Sequence, residues 1–179
     1  SIDGQVVPPG EVFSFNKTVG SWSRDKGYRR APVSFNGTLI DAWGGGVCQT
    51  STTFYSAALS AGMEVLERHA HHFCPTYSSP GRDAAVGYPN IDLQMRNPYD
   101  FPLLIRAKVE GNRLKVSLVG AGKGEKVTIV TKVMDSQTPQ TFNHGAGDSP
   151  WVSAPGKPGF EVETYRITRQ GRVRISRDI

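Results

Sequence analysis

The sequence is poor in several things that would narrow its class at once. It has only two cysteines, Cys48 and Cys74, too few for a disulfide framework. One bridge or one working thiol are the alternatives. No apolar run reaches the roughly 18 residues needed to cross a bilayer as a helix. The opening "SIDGQVVPPG" does not read as a signal peptide, and the expectation is a chain that starts downstream of any targeting segment. There is no internal repeat and no nucleic-acid motif. The net charge of +5 therefore points to an anionic surface or to nothing specific, not to DNA or RNA. The densest basic group, "YRITRQGRVRISR", alternates along a strand pair and reads as a solvated face.

Glycine and proline, by contrast, are plentiful: 20 and 12 in 179 residues, which favours a turn-rich β protein, and the length suits one well-buried core or a core domain with a small appendage. "EVFSFN" (11–16) alternates like a short strand, and "TVGSWSRDKGYRRAP" reads as a loop. Asn36-Gly37 between alternating runs marks a hairpin. "FPLLIRAKVE" and "RLKVSLVG" form a second hairpin turning at Glu110-Gly111-Asn112. "VTIVTKVM" is a strand, 135–159 a long loop, and "FEVETYRIT" with "RVRIS" a last hairpin. One helix stands out: from Gln49 onward, Phe54, Ala57, Ala58 and Ala61 recur at helical spacing, with Gly62 as the stop. The expected class is α+β, a main helix on an antiparallel sheet, with a β-hairpin-rich tail.

The segment "GGGVCQTSTTFYSAALSAG" (44–62) carries the chemistry. A helix beginning just after Cys48 would hold its thiol over the positive end of the helix dipole, where unpaired N–H groups stabilise a thiolate. Gly45 and Gly46 would let the backbone approach a substrate, and the amides at Cys48 or Gln49 would form an oxyanion site. The rival reading is an inert, buried cysteine in a glycine-rich turn. A nucleophile needs a base, and "ERHAHHFC" supplies candidates. Read as a strand, it puts His69 and His71 on one face and His72 and Cys74 on the other, so no side collects four ligands and no zinc site is expected. Asp83 in "PGRDAAV" would orient the imidazole, with Asp41 as rival. Trp43, just before the glycines, is a candidate for lining the cleft. Trp22, Trp151 and His144 read as packing or solvated residues.

Five stretches, "PPGEVFSFN", "GYRRAPV", "GGGVCQTSTTFYSAALSAGMEVLERHAHH", "PGRDAAVGYP" and "RNPYDFPLLIRA", resemble the VanW-domain family in order over about the first 120 residues. This likeness implies a division into a VanW-like catalytic domain, 1–120, and a small β-rich C-terminal extension, 121–179, similar to a β module that follows this domain in wall-associated proteins. The resemblance implies a bacterial envelope protein, extracellular, named from a glycopeptide-resistance gene cluster and so tied to antibiotic resistance. Some family members act as L,D-transpeptidases, transferases that make 3→3 cross-links in peptidoglycan. Carried over residue by residue, Cys48 becomes the nucleophile and the motif histidines fall on His69 and His71. Arg82 and Asp83 fall on "GRDA", with Arg82 a candidate for binding a substrate carboxylate. His72 and Cys74 depart from the usual pattern and leave a Cys48–Cys74 disulfide open. The expected partners are peptidoglycan stem peptides, with anionic wall polymers also in view. A monomer without metal or cofactor is expected. Rival functions are a cysteine peptidase or carboxypeptidase on wall peptides, and a non-enzymatic wall-binding module.

Overall fold

The computed structural model describes residues 1–35, 38–139 and 158–179. Along them run β1 (Val6–Val7), β2 (Val12–Ser14), α1 (Phe15–Val19), β3 (Arg30–Phe35), β4 (Thr38–Trp43) and α2 (Val47–Ser60). Then follow β5 (Glu64–Glu67), β6 (Gln94–Arg96), β7 (Leu103–Glu110), β8 (Arg113–Gly120), β9 (Thr128–Gln137), β10 (Gly159–Thr168) and β11 (Gly171–Asp178). The strands assemble as β1-β7-β8, β2-β6-β5 and β9-β10-β11 sheets and a β3-β4 hairpin, with every pairing antiparallel. The protein is thus sheet-rich with one main helix.

Helix α2 forms where the apolar period predicts it, and buries Val47, Ser51, Thr52, Phe54, Tyr55, Ala58 and Leu59 along one stripe. Phe54 packs on Phe13 of β2, ring centroids 4.6 Å apart. Each such buried side chain contributes about 1.5–3 kcal/mol. Gly62 ends the helix with φ near +80°, its N–H returning to Leu59 O at 3.0 Å, a stop that side chains with a Cβ resist. At the other end, α2 begins at Val47, earlier than expected, so Cys48 lies inside the first turn. The expected hairpin at Gly111-Asn112 is present, with Glu110 opposite Arg113.

Two readings are corrected. Residues 11–16 are not one strand: β2 stops at Ser14, whose hydroxyl accepts from Lys17 N–H at 3.1 Å and caps α1. A serine cap outweighs alternation there. The run from His69 to Cys74 is not a continuous strand either. After β5, His69 makes a single bridge to Ala85, and the His71 backbone N–H turns to the Asp83 carboxylate, 2.7 Å away, instead of to a neighbouring strand. The turn Asn36-Gly37, His144, Trp151 and most of the expected 135–159 loop lie outside the described residues.

Candidate active site

The three glycines answer to packing before chemistry. Gly46 is the N-cap of α2 with φ near +91°, a left-handed conformation that glycine adopts at no steric cost. A Cβ on Gly45 would stand 2.3 Å from Ala31 Cβ of β3, so its bare side faces the hairpin and not open solvent. This tight turn delivers Cys48 at the second position of the helix. Around it, Val47 N–H bonds Gly44 O at 3.0 Å and Thr50 N–H bonds Gly46 O at 2.9 Å, whereas the amides of Cys48 and Gln49 have no acceptor among the described residues. Two adjacent unpaired amides beside a sulfur can hold a developing oxyanion. The thiol donates to Val86 O, 3.4 Å away.

His71 and Asp83 come to this sulfur from loops after β5. Asp83 Oδ2 accepts both the His71 backbone N–H, at 2.7 Å, and its Nδ1, at 2.6 Å. Holding Nδ1–H this way leaves Nε2 as the working nitrogen. Tyr77 OH lies 3.3 Å from Nε2. Burial alone lowers the His71 pKa, but the hydrogen bond to Asp83, then the hydrogen bonding and charge of Cys48, outweigh it and raise the value from 6.5 to about 9. For Asp83, burial works against ionisation and is outweighed by the hydrogen bonds from His71 and the charge of Arg68, so its pKa is lowered. Burial and the Cys48 charge push Tyr77 up to about 12.

Behind Asp83 stands Arg68, which sequence reading did not single out. Its Nη2 meets Asp83 Oδ1 at 2.9 Å and its Nε meets the Asp83 backbone carbonyl at 2.7 Å. Both side chains are almost fully buried, 4% and 5% exposed. Nothing in local periodicity marks Arg68. The available signal was chemical: a buried acid that must stay ionised needs a buried cation. Tyr77 was missed as well, being one aromatic in a proline-rich turn.

The remaining candidates are placed elsewhere. His69 Nε2 bonds Glu67 Oε1 at 3.0 Å and is half-exposed, so it is not brought to the thiol. Asp41 is an exposed partner of Arg30. Among the described residues Arg82 makes no ion pair with Asp83, and its buried Nε has no hydrogen-bond partner. Trp43 ends β4 and is 38% exposed. Gly45, Gly46 and Gln49 line a cavity of about 480 Å³ that also takes in Phe15 and Tyr28. His71 and Asp83 line another, of about 590 Å³, walled by Phe73 and Phe160. Cys48 lines neither of these two. Cys48 and Cys74 are not joined in a disulfide, and no group of three or more His, Cys, Asp or Glu among the described residues could hold a metal.

Comparisons with known proteins agree on a family. A family model described as VanW like protein matches residues 1–119. Over 118 residues the chain is 42% identical to YoaR of Bacillus subtilis (strain 168), a protein described as uncharacterized, covering 66% of this chain and 39% of YoaR. It is 30% identical over 106 residues to the vancomycin B-type resistance protein VanW of Enterococcus faecalis (strain ATCC 700802 / V583), covering 56% of this chain and 38% of that protein. The matched part is therefore about two fifths of the length of either relative. No solved structure matches significantly. With two thirds of its length matched and Cys48, His71 and Asp83 all inside the match, the chain belongs to the VanW-like family.

Proposed function

We propose that the protein is a cysteine acyltransferase of the bacterial envelope, an L,D-transpeptidase that forms 3→3 cross-links between peptidoglycan stem peptides. The observation that carries this reading is His71, held at Nδ1 by Asp83 2.6 Å away and raised in pKa in part by Cys48, beside two helix amides without an acceptor among the described residues. Thiolate and imidazolium are the reactive charge state of such a pair. The Cys48 sulfur attacks the carbonyl carbon of the third stem residue, and the amides of Cys48 and Gln49 receive the oxyanion. The C–N bond to the terminal D-residue breaks, and Nε2–H of His71 protonates the departing amine. The side-chain amine of a neighbouring stem then attacks the thioester. His71 takes its proton, the amide forms, and the Cys48 thiolate is released. Water as acceptor would give the peptidase or carboxypeptidase instead. The name of the enterococcal relative attaches that protein to vancomycin resistance. A part in resistance, and an extracellular location, are proposed here on that likeness.

Incubation with a disaccharide-tetrapeptide, followed by intact-protein mass spectrometry and muropeptide analysis, tests the chemistry. The expected result is an acyl adduct on Cys48 together with a 3→3 dimer. An adduct that decays only to shortened monomer supports the hydrolase, and a Cys48→Ser protein that still cross-links overturns both.

A second reading has one specific observation behind it. A groove of about 850 Å³ between the start of β5 and the β10–β11 turn is lined by Lys123, Lys126, Arg166, Arg169 and Arg172, against Glu64 and Glu125. Such a surplus of cations suits a wall polymer carrying regular negative charge, and salt-sensitive co-sedimentation with wall fragments would support it.

A further inference from the structure

We propose that Asp178, on β11 and outside the segment matched by the family, is a positioning residue for His71 that acts through Arg68 and Asp83. The proposal rests on reading Cys48 and His71 as the reacting pair. Arg68 uses every edge of its guanidinium: Nε and Nη2 hold Asp83, and Nη1 holds Asp178 Oδ1. Arg68 is 4% exposed and Asp178 18%, so this is an ion chain removed from water, spanning 110 residues of sequence. The planar fork of arginine suits two carboxylates at once, and a lysine would not. The Arg68 guanidinium carbon also lies 5.6 Å from the centre of the Tyr55 ring, which floors the chain with a fully buried aromatic.

The division of Arg68's charge is what gives Asp178 its role. Cys48 and His71 carry one charge of each sign, and so do Asp83 and Arg68. Asp178 takes up part of the Arg68 charge and leaves more of Asp83's for the imidazolium. Without that carboxylate, Arg68 would draw more of Asp83's charge, and the imidazolium would be disfavoured. Cys48, Asp83 and Tyr77 act on His71 directly, and His72, Cys74 and Asp178 line the same cavity as His71 and Asp83. Beyond Asp83 stand Arg68 and Asp178, with Tyr55 and Arg82 within reach of the same charges. A second tie makes β10 part of this arrangement. Thr164 Oγ1 donates to Gly81 O at 2.9 Å, and the Cβ position of Gly81 is occupied by Thr164 and Val162 side chains, at 2.6 and 2.9 Å. The strap that carries Asp83 is laid directly on the C-terminal sheet.

The test uses the 179-residue chain with Cys74→Ser, histidine labelled for NMR, and iodoacetamide as the thiol probe. Asp178→Asn keeps the shape of the side chain and removes its charge. The expected result is a His71 midpoint lowered by about one pH unit, with Cys48 alkylated several-fold more slowly near neutral pH. Thr164→Val loosens the same interface without touching a charge, and should leave the midpoint where it was. The double variant Arg68→Met, Asp178→Asn removes one charge of each sign and should return the midpoint to the parent value or above it. If Asp178→Asn alone does not fold, Asp178→Ser, which removes the same carboxylate with a shorter side chain, takes its place with the same expected fall in midpoint. An unchanged midpoint in Asp178→Asn, an equal shift in Thr164→Val, or a double variant that stays below the parent would each overturn the proposal. None of these readouts needs a stem peptide. A protein that passes them yet never cross-links would sink the transpeptidase reading alone, and one that cross-links but fails them would sink only the role of Asp178.

Discussion

At the scale of single residues, His71 controls how the protein responds to pH. Its folded-state pKa of about 9 stands above the 6.5 of an exposed imidazole. The folded chain therefore binds more protons than the unfolded one between those values. Its contribution to stability is complete below pH 6.5 and is lost as the pH rises through about 9, a loss on the order of 2–3 kcal/mol. Asp83 is shifted the other way, so its contribution is present above the ordinary carboxylate pKa and disappears only in acid. Urea denaturation across this range should show stability declining on the alkaline side, and a His71→Gln variant should flatten that slope. If the parent and the variant decline alike, the imidazole is not the group responsible. Replacing the sulfur separates the two neighbours that raise the value. Cys48→Ser removes the hydrogen bonding and charge of the thiolate and leaves Asp83 in place. The His71 midpoint, followed by NMR, should then fall below about 9 without descending to that of an unpaired buried imidazole. An unmoved midpoint would mean that sulfur and ring do not interact.

Among the elements, α2 shows what could be read from the sequence and what could not. Its body was legible because a buried face repeats every three to four residues, and its end because Gly62 takes a positive φ. Its start was less so, since the first turn of a helix has no apolar period and its boundary depends on where Ala31 meets Gly45. The hairpins were legible from turn chemistry, β7–β8 above all. Cys48, His71 and Asp83 were legible as residue types in a plausible order. Arg68 and Asp178 were not, because an ion pair bridging 110 positions leaves no trace in local pattern. Nor could sequence tell His69 from His71, whose difference is that the Asp83 carboxylate captures one backbone amide and its ring together. The Gly45–Ala31 contact makes a direct prediction. Gly45→Ala should cost about 1–3 kcal/mol by overpacking, and Ala31→Gly in the same protein should recover part of that loss. Additive losses in denaturant melts would show that the two sites do not share the space.

For the whole molecule, the question is whether the C-terminal sheet is an attachment or part of the body. Family resemblance ends at residue 119, which suggests a joint there. Packing runs across it. Ile129 of β9 and Ile175 of β11 pack against the core cluster built from Phe13, Phe54, Tyr55 and Ile105, and Val162 of β10 is 1% exposed. Arg166 adds hydrogen bonds to the carbonyls of Gly62 and Met63, at 3.3 and 3.0 Å, just beyond the end of α2. A sheet that shares its apolar face, a buried ion chain and backbone bonds with the helix should not melt by itself. Val162→Ala, which removes two buried methyl groups, should cost about 2 kcal/mol. If the molecule opens as one unit, that loss speeds hydrogen exchange of the slowest amides by one common factor of about 30, in α2 and β10 alike. Acceleration confined to β9–β11, with α2 unchanged, would mean that the C-terminal sheet opens alone and that Asp178 leaves Arg68 whenever it does.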